Sequence, residues 1–170
     1  MAIVYREHGD IRDDPSSILV CAVNCVPGVM GAGQAKAFRD RWPGLVEHHR
    51  MAVNEGRMGP GLPLVVSQHP PLTRADGSQF CVVFFPTKAD WRKPSRLEWV
   101  ANGLRSLVVT IQHWSKIDPR ASSVAVPALG CGLGGLPWEQ VRPLIELAEL
   151  RTPDVAWTVY LPGAERRQAG

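Results

Sequence analysis

No apolar run in these 170 residues approaches the roughly 18–20 needed for a membrane-crossing helix. The opening MAIVYREHGD also lacks the apolar core of a signal peptide, so we expect a cytoplasmic protein with no membrane partner. Cysteine is scarce: Cys21, Cys25, Cys81 and Cys131 each sit in or beside an apolar run, and no pair has CxxC spacing. Read as a strand, the CAVNC stretch points Cys21 and Cys25 to one face. Buried reduced thiols are the favoured reading; a zinc site drawing on these cysteines with His48 and His49 matches no common ligand spacing. We therefore expect no metal and no cofactor. Neither sign of charge dominates. Nineteen basic against sixteen acidic residues leave +3, which permits a polyanionic partner without requiring one. Internal repeats and linkers are missing too, and at 18.6 kDa the chain has the size of one domain, 1–170, with a core over about 3–161 and a flexible tail at 162–170.

Hydrophobic residues at 45% and charged residues at 21% exclude a disordered or fibrous chain. Strands are expected at 3–5, 18–23, 64–67, 79–85, 123–127 and 156–161, and helices at 34–42, 43–54, 95–116 and 137–150. The run at 18–23 is continuously apolar, as in a strand buried on both faces. Leu97, Val100, Leu104, Leu107, Val108 and Ile111 follow the 3–4 spacing of a buried helical face. Such alternation implies an α/β domain, with helices on both faces of a largely parallel or mixed sheet. Ligands of such sheets bind beyond the carboxyl ends of the strands.

Two glycine clusters occupy that position. Gly28, Gly31 and Gly33 follow one strand; Gly130, Gly132, Gly134 and Gly135 follow another. Glycine allows the backbone to turn its N–H groups inward as an anion nest, and the helix start that follows adds partial positive charge. Two facing loops suit a diphosphate better than a single phosphate. Taken singly, each is equally readable as a tight strand–helix turn. Neither is a Walker A loop, since no GKS or GKT follows, and neither is a GxGxxG loop with a ribose-binding acid at the usual distance. Lys88 also follows a strand end, leading a run with Trp91, Arg92, Lys93 and Arg96 against Asp90. That run is either a solvated helix start or a rim for phosphate or nucleic acid.

The stretch from Val23 through Asn24, Pro27 and Gly28 to Gly33 resembles the first ligand loop of macrodomains, the ADP-ribose-binding modules. Phe85-Pro86-Thr87-Lys88 with Trp91-Arg92 and Pro94-Ser95-Arg96-Leu97-Glu98 is similar to the DNA ADP-ribosyl glycohydrolase branch. So is Pro127-Ala128-Leu129-Gly130-Cys131-Gly132-Leu133-Gly134-Gly135-Leu136 with Trp138, and Gly9-Asp10 matches the usual opening. The resemblance spans about 9–161. It implies a three-layer α/β/α macrodomain with a central, mostly mixed six-stranded sheet. It also implies that Asp10 accepts from the adenine amino group with the Ile11 backbone alongside, and that Asn24 holds the distal ribose beside the reaction. The loop of Gly28, Val29, Met30, Gly31, Ala32 and Gly33, and that of Pro127, Leu129, Gly130, Cys131, Gly132, Leu133, Gly134 and Gly135, would wrap that ribose and the diphosphate. Lys88 and Asn24 would be catalytic, and Trp91, Arg92 and Lys93 would form a nucleic-acid rim. Tyr160 and Leu161 are candidates to cover the adenine.

Hydrolases of protein-linked ADP-ribose in this family place an aspartate where this chain has Gly134, which favours the DNA branch. Pro27 is an extra residue in the first loop, and Ala32 stands where that branch often has lysine. The activity implied is removal of ADP-ribose from thymidine in single-stranded DNA, by a monomer antagonising a cognate ADP-ribosyltransferase toxin. The alternatives are a non-catalytic ADP-ribose reader, a hydrolase of ADP-ribose on protein acidic residues or of O-acetyl-ADP-ribose, and an ADP-ribose 1″-phosphate phosphatase. For Lys88 the competing role is a surface lysine that pairs with a phosphate.

Overall fold

The computed structural model describes residues 2–66 and 71–166. Its first half comprises β1 (Val4–Arg6), β2 (Ile18–Val23), α1 (Gly33–Arg41), α2 (Leu45–Asn54), β3 (Leu64–Val66) and β4 (Leu72–Thr73). The second half comprises β5 (Gln79–Pro86), α3 (Leu97–Ile117), β6 (Ser123–Pro127), α4 (Trp138–Leu150) and β7 (Ala156–Tyr160). The sheet runs β1-β7-β6-β2-β5-β3, with β4 pairing with β5. β1, β7, β6, β2 and β5 are parallel to their neighbours, whereas β3 and β4 are antiparallel to β5. The sheet is therefore mixed, as expected, with seven strands among the described residues rather than six.

The additional strand, β4, is two residues long and pairs Leu72 with Phe80 through a turn at Asp76-Gly77, where Gly77 has φ +86°. So short a strand has no room to show a period of two. The CAVNC stretch is also only partly strand: β2 ends at Val23, and Asn24 and Cys25 belong to the loop beyond it. Ser67 and His69, in the expected strand and the turn region after it, lie outside the described residues.

Burial on both faces explains why β2 reads as one apolar run. Leu19, Cys21 and Val23 pack with Phe38 of α1 and Leu45 and Ala52 of α2. Ile18 and Val20 pack on the opposite face with Val100, Leu104, Leu107 and Ile111 of α3 and Val141 and Ile145 of α4. Packing continues past Leu161: Ala164 is buried, and its carbonyl accepts from Gly9 N–H at 3.1 Å. Residues 167–170 of the expected tail lie outside the described residues.

One close approach sets how α3 sits on the sheet. A Cβ at Gly103 would fall 2.4 Å from Cζ of the buried Phe85 ring. Helix propensity alone favours alanine at such a position by about 1 kcal/mol. Overpacking against a ring that has nowhere to go costs about 1–3 kcal/mol, and this penalty outweighs the propensity gain. Gly103→Ala is therefore expected to lower Tm by about 2–6 °C in a calorimetric scan. A raised Tm would show that propensity wins instead.

Candidate functional site

Because five strands are parallel, their carboxyl ends share one edge, and that edge receives the loops at 24–32, 87–96 and 128–137. The sheet also opens there. β2 pairs with β5 along its whole length, from Ile18 to Val23, but with β6 only at Ile18 and Leu19. Beyond Leu19 the two strands part, and Gln34 Oε1 accepts from the Ala22 N–H at 2.7 Å. The two glycine loops flank this split. They come near each other at Gly33, where a Cβ would lie 3.4 Å from Leu133 Cδ1.

The first loop is held by buried polar groups. Asn24 Oδ1 accepts from Val26 N–H at 2.8 Å, and its Nδ2 donates to Val29 O at 3.0 Å. Asn24, read from sequence as a ribose ligand, thus also builds the loop's turn. His49 of α2, buried, accepts from Gly28 N–H at Nδ1 (3.1 Å) and faces Asn24 O with Nε2 at 2.8 Å. Gly28 and Gly33 have φ of +73° and +55°, a region open to glycine. Met30 turns into the core, while Gly31, Ala32 and Gly33 are exposed at the start of α1. No side chain caps α1 at Ala32, so the N–H groups of its first turn are available to an anion.

The second loop is packed from beneath. Ser95, buried at the approach to α3, donates its N–H to Gly134 O at 3.0 Å, while its Oγ is buried without a hydrogen-bond partner. A Cβ at Gly134 would fall 2.2 Å from that Oγ and 2.5 Å from Gly130 O. Glycine at 134 is thus a packing requirement as well as the missing acid noted in the sequence. Gly130 and Gly135 take φ of +74° and +77°. Leu129 is core, Pro127 ends β6 beside Tyr160, and Leu133 is 71% exposed at the tip. Burial pushes the Cys131 thiol up to about 11 and Cys25 likewise to about 11, so both are inert thiols rather than thiolates.

Lys88 joins the loops. Its Nζ donates to Leu133 O at 3.0 Å and reaches Trp91 O at 3.5 Å, so its ammonium sits where the β5 and β6 loops meet. The rim beside it is less basic than its composition. Arg92 pairs with Asp90 at 2.8 Å and lies 5.3 Å over the Trp91 ring, and Arg96 pairs with Glu98 at 3.5 Å. Hydrogen bonds from the Arg92 side chain and backbone hold Asp90 at about 2. These pairs are exposed and so weak enough for a phosphate to compete with them. Trp91 is 54% exposed, which makes it a surface platform rather than a core residue.

Asp10 lies at the far end of the edge. It caps the turn Ile11–Asp13 through the Arg12 N–H, and its carboxylate is gripped by the Arg12 guanidinium at 2.9 Å. Burial would raise its carboxyl, but the bonds from Arg12 outweigh this and hold it below the usual range. The Ile11 side chain is buried. Tyr160 reaches the same corner: its ring is 3.7 Å from where a Cβ on Gly9 would be, and its OH donates to Asp14 Oδ2 at 2.8 Å. Leu161 N–H donates to Arg6 O at 2.9 Å. The residues assigned to adenine are therefore together at one end, with Lys88 reaching the second loop at Leu133. Arg12, Gln34 and the supporting parts of His49 and Ser95 emerge only with the fold, because their partners are distant in sequence or main-chain groups.

A split mixed sheet with two glycine loops flanking the gap defines a three-layer α/β domain. The chain belongs to the Macro domain family, whose profile matches residues 20–145. It is 36% identical over 159 residues to the DNA ADP-ribosyl glycohydrolase of Mycobacterium tuberculosis H37Rv, covering 94% of this chain and 42% of that protein. The solved macrodomain of Mycobacterium tuberculosis DarG superposes with a TM-score of 0.80 at 36% identity, over 94% of this chain and 97% of that one. Thermosipho africanus DarTG in complex with ADP-ribose gives a TM-score of 0.79 at 29% identity, over 95% of this chain and 42% of that one. The chain spans about two-fifths of the length of the curated relatives it matches. Among the described residues no helix is long and apolar enough to cross a membrane.

Proposed function

We propose that this chain is a mono-ADP-ribosyl hydrolase acting on modified nucleic acid, with ADP-ribosylated thymidine in single-stranded DNA as substrate and Lys88 as catalytic residue. The observation that carries the proposal is the Lys88 ammonium on the Leu133 carbonyl, at the mouth of two glycine loops facing across the sheet's split. The names of the relatives above support the substrate class. In this reading Asp10 and the Ile11 backbone receive the adenine, and Asn24 and the two loops hold the diphosphate and distal ribose. Trp91 offers a stacking face to a neighbouring base, with Arg92 and Lys93 toward phosphates.

The reaction breaks the bond from the anomeric carbon to the thymidine base. Water supplies the new oxygen on that carbon, and its proton balances the charge left on the base. Positive charge develops at the anomeric carbon and negative charge on the leaving base; a lysine donor beside that base stabilises its departure. An adduct of this kind must be made by an ADP-ribosyltransferase, so the partner implied is the enzyme that modifies the DNA.

Substrate comparison tests the reading. Incubation with an ADP-ribosylated single-stranded oligonucleotide, a glutamate-linked ADP-ribosyl protein and O-acetyl-ADP-ribose is expected to favour the oligonucleotide by tenfold or more. Equal or faster release from either of the other two overturns the DNA assignment. Tight ADP-ribose binding with no release from any of them makes the chain a reader.

A further inference from the structure

We infer that His49 is the positioning residue of the first glycine loop, acting as a neutral imidazole protonated on Nε2. Its consequence for ligand affinity rests on the reading that this loop holds ADP-ribose. The hydrogen-bond partners fix the tautomer. Gly28 N–H can only donate, so Nδ1 facing it at 3.1 Å must be the bare acceptor nitrogen. Asn24 O can only accept, so Nε2 facing it at 2.8 Å carries the hydrogen. One ring thereby ties the loop's entry, at the end of β2, to its turn four residues later.

The brace passes through Asn24 to the rest of the loop. With its carbonyl held by His49, the Asn24 side chain binds Val26 N–H and Val29 O, which sets the chain that leads into Gly31–Gly33. His49 itself has no room to turn. It is buried, the Phe84 ring meets it edge-on at 5.6 Å, and Arg50 packs its aliphatic stem beside Gly28. A second proton on the ring would set Nδ1–H against Gly28 N–H, two donors facing each other, and the tie would break.

The charged and titratable groups around the ring do not offset this. From the loop comes Cys25, a neutral thiol; β5 offers the uncharged Phe84; α2 offers His48 and an exposed Arg50 paired with Glu47. Burial outweighs the bond to Asn24 and lowers the pKa of His49. The unfolded chain, with an ordinary imidazole near 6.5, therefore takes up the proton first. The stability this contributes is complete above about pH 6.5 and is lost as pH falls from there toward the lower folded value.

The test uses the whole chain as wild type, His49→Gln and His49→Phe. Glutamine can supply one acceptor and one donor, whereas phenylalanine fills the space with neither. Nitrogen NMR at pH 7.5 is expected to show the Nε2–H tautomer. On acidification the Gly28 amide is expected to shift together with the His49 ring, at a midpoint below 6.5. ADP-ribose affinity measured from pH 7.5 to 4.5 is expected to fall tenfold or more across that midpoint in wild type. His49→Gln is expected to stay within threefold over the same range, and His49→Phe to bind tenfold or more weakly throughout. An Nδ1–H ring at pH 7.5, wild-type affinity in His49→Phe, or an unchanged acid loss in His49→Gln overturns the inference. A wild type that shows the expected tautomer but no ADP-ribose affinity at pH 7.5 counts against the functional reading alone.

Discussion

Lys88→Ala is expected to slow ADP-ribose release at least 10²-fold while leaving ADP-ribose affinity within a few-fold. The size follows from what a positioned proton donor contributes to a transition state, typically 10²–10⁴. The split between rate and affinity follows from the geometry. Lys88 comes from the segment after β5 and rests on Leu133 O and Trp91 O, whereas the groups assigned to adenine, ribose and diphosphate come from residues 10–11, 24–33 and 127–135. Removing the ammonium takes away an interaction made in the transition state and little that holds the ground state. Lys88→Arg refines the result. Arginine keeps the charge but neither gives up a proton readily nor attacks as an amine. Partial activity in Lys88→Arg would assign an electrostatic role, and full loss a proton-transfer or nucleophilic one.

Gly134→Ala carries the second large effect. The new Cβ would lie 2.2 Å from Ser95 Oγ and 2.5 Å from Gly130 O, so the loop must move away from α3 or Ser95 must turn. Overpacking of this kind costs about 1–3 kcal/mol. The displacement also shifts Leu133 O, on which Lys88 rests, so activity is expected to fall tenfold or more along with ADP-ribose affinity. Adding Ser95→Gly relieves the side-chain contacts but not the one with the Gly130 carbonyl. The double variant is therefore expected to recover stability only in part. Full recovery would place the strain in the serine alone; an unchanged Tm in Gly134→Ala would show that the loop is free to adjust. Thermal unfolding and ADP-ribose titration of the three variants make the comparison.

The layers of this fold are legible in the sequence because each run has one clear reading. The apolar stretch at 18–23 is central and buried on both faces, and the 3–4 spacing of α3 describes the face that meets the sheet. The loops are legible too, since glycines at strand ends have few other uses. What the sequence hides depends on distant partners. Nothing local joins Ser95 to Gly134 or links Lys88 to Leu133. His49 leaves a faint signal: Leu45, His49 and Ala52 share the buried stripe of α2, which places an imidazole where an apolar residue is usual. The run from Lys88 to Arg96 reads as more basic than it is, because Asp90 and Glu98 lie two residues from the arginines they pair with. β4 is too short to show a pattern, although Asp76-Gly77 marks its turn.

The central claim is tested most directly by single-turnover release. Excess wild-type protein is mixed with a single-stranded oligonucleotide carrying one ADP-ribosylated thymidine, and both products are followed by mass. Unmodified oligonucleotide and free ADP-ribose are expected to appear in equal amounts, with Lys88→Ala leaving the adduct intact over the same interval. An adduct that stays whole with wild type, or is released as fast by Lys88→Ala, contradicts it.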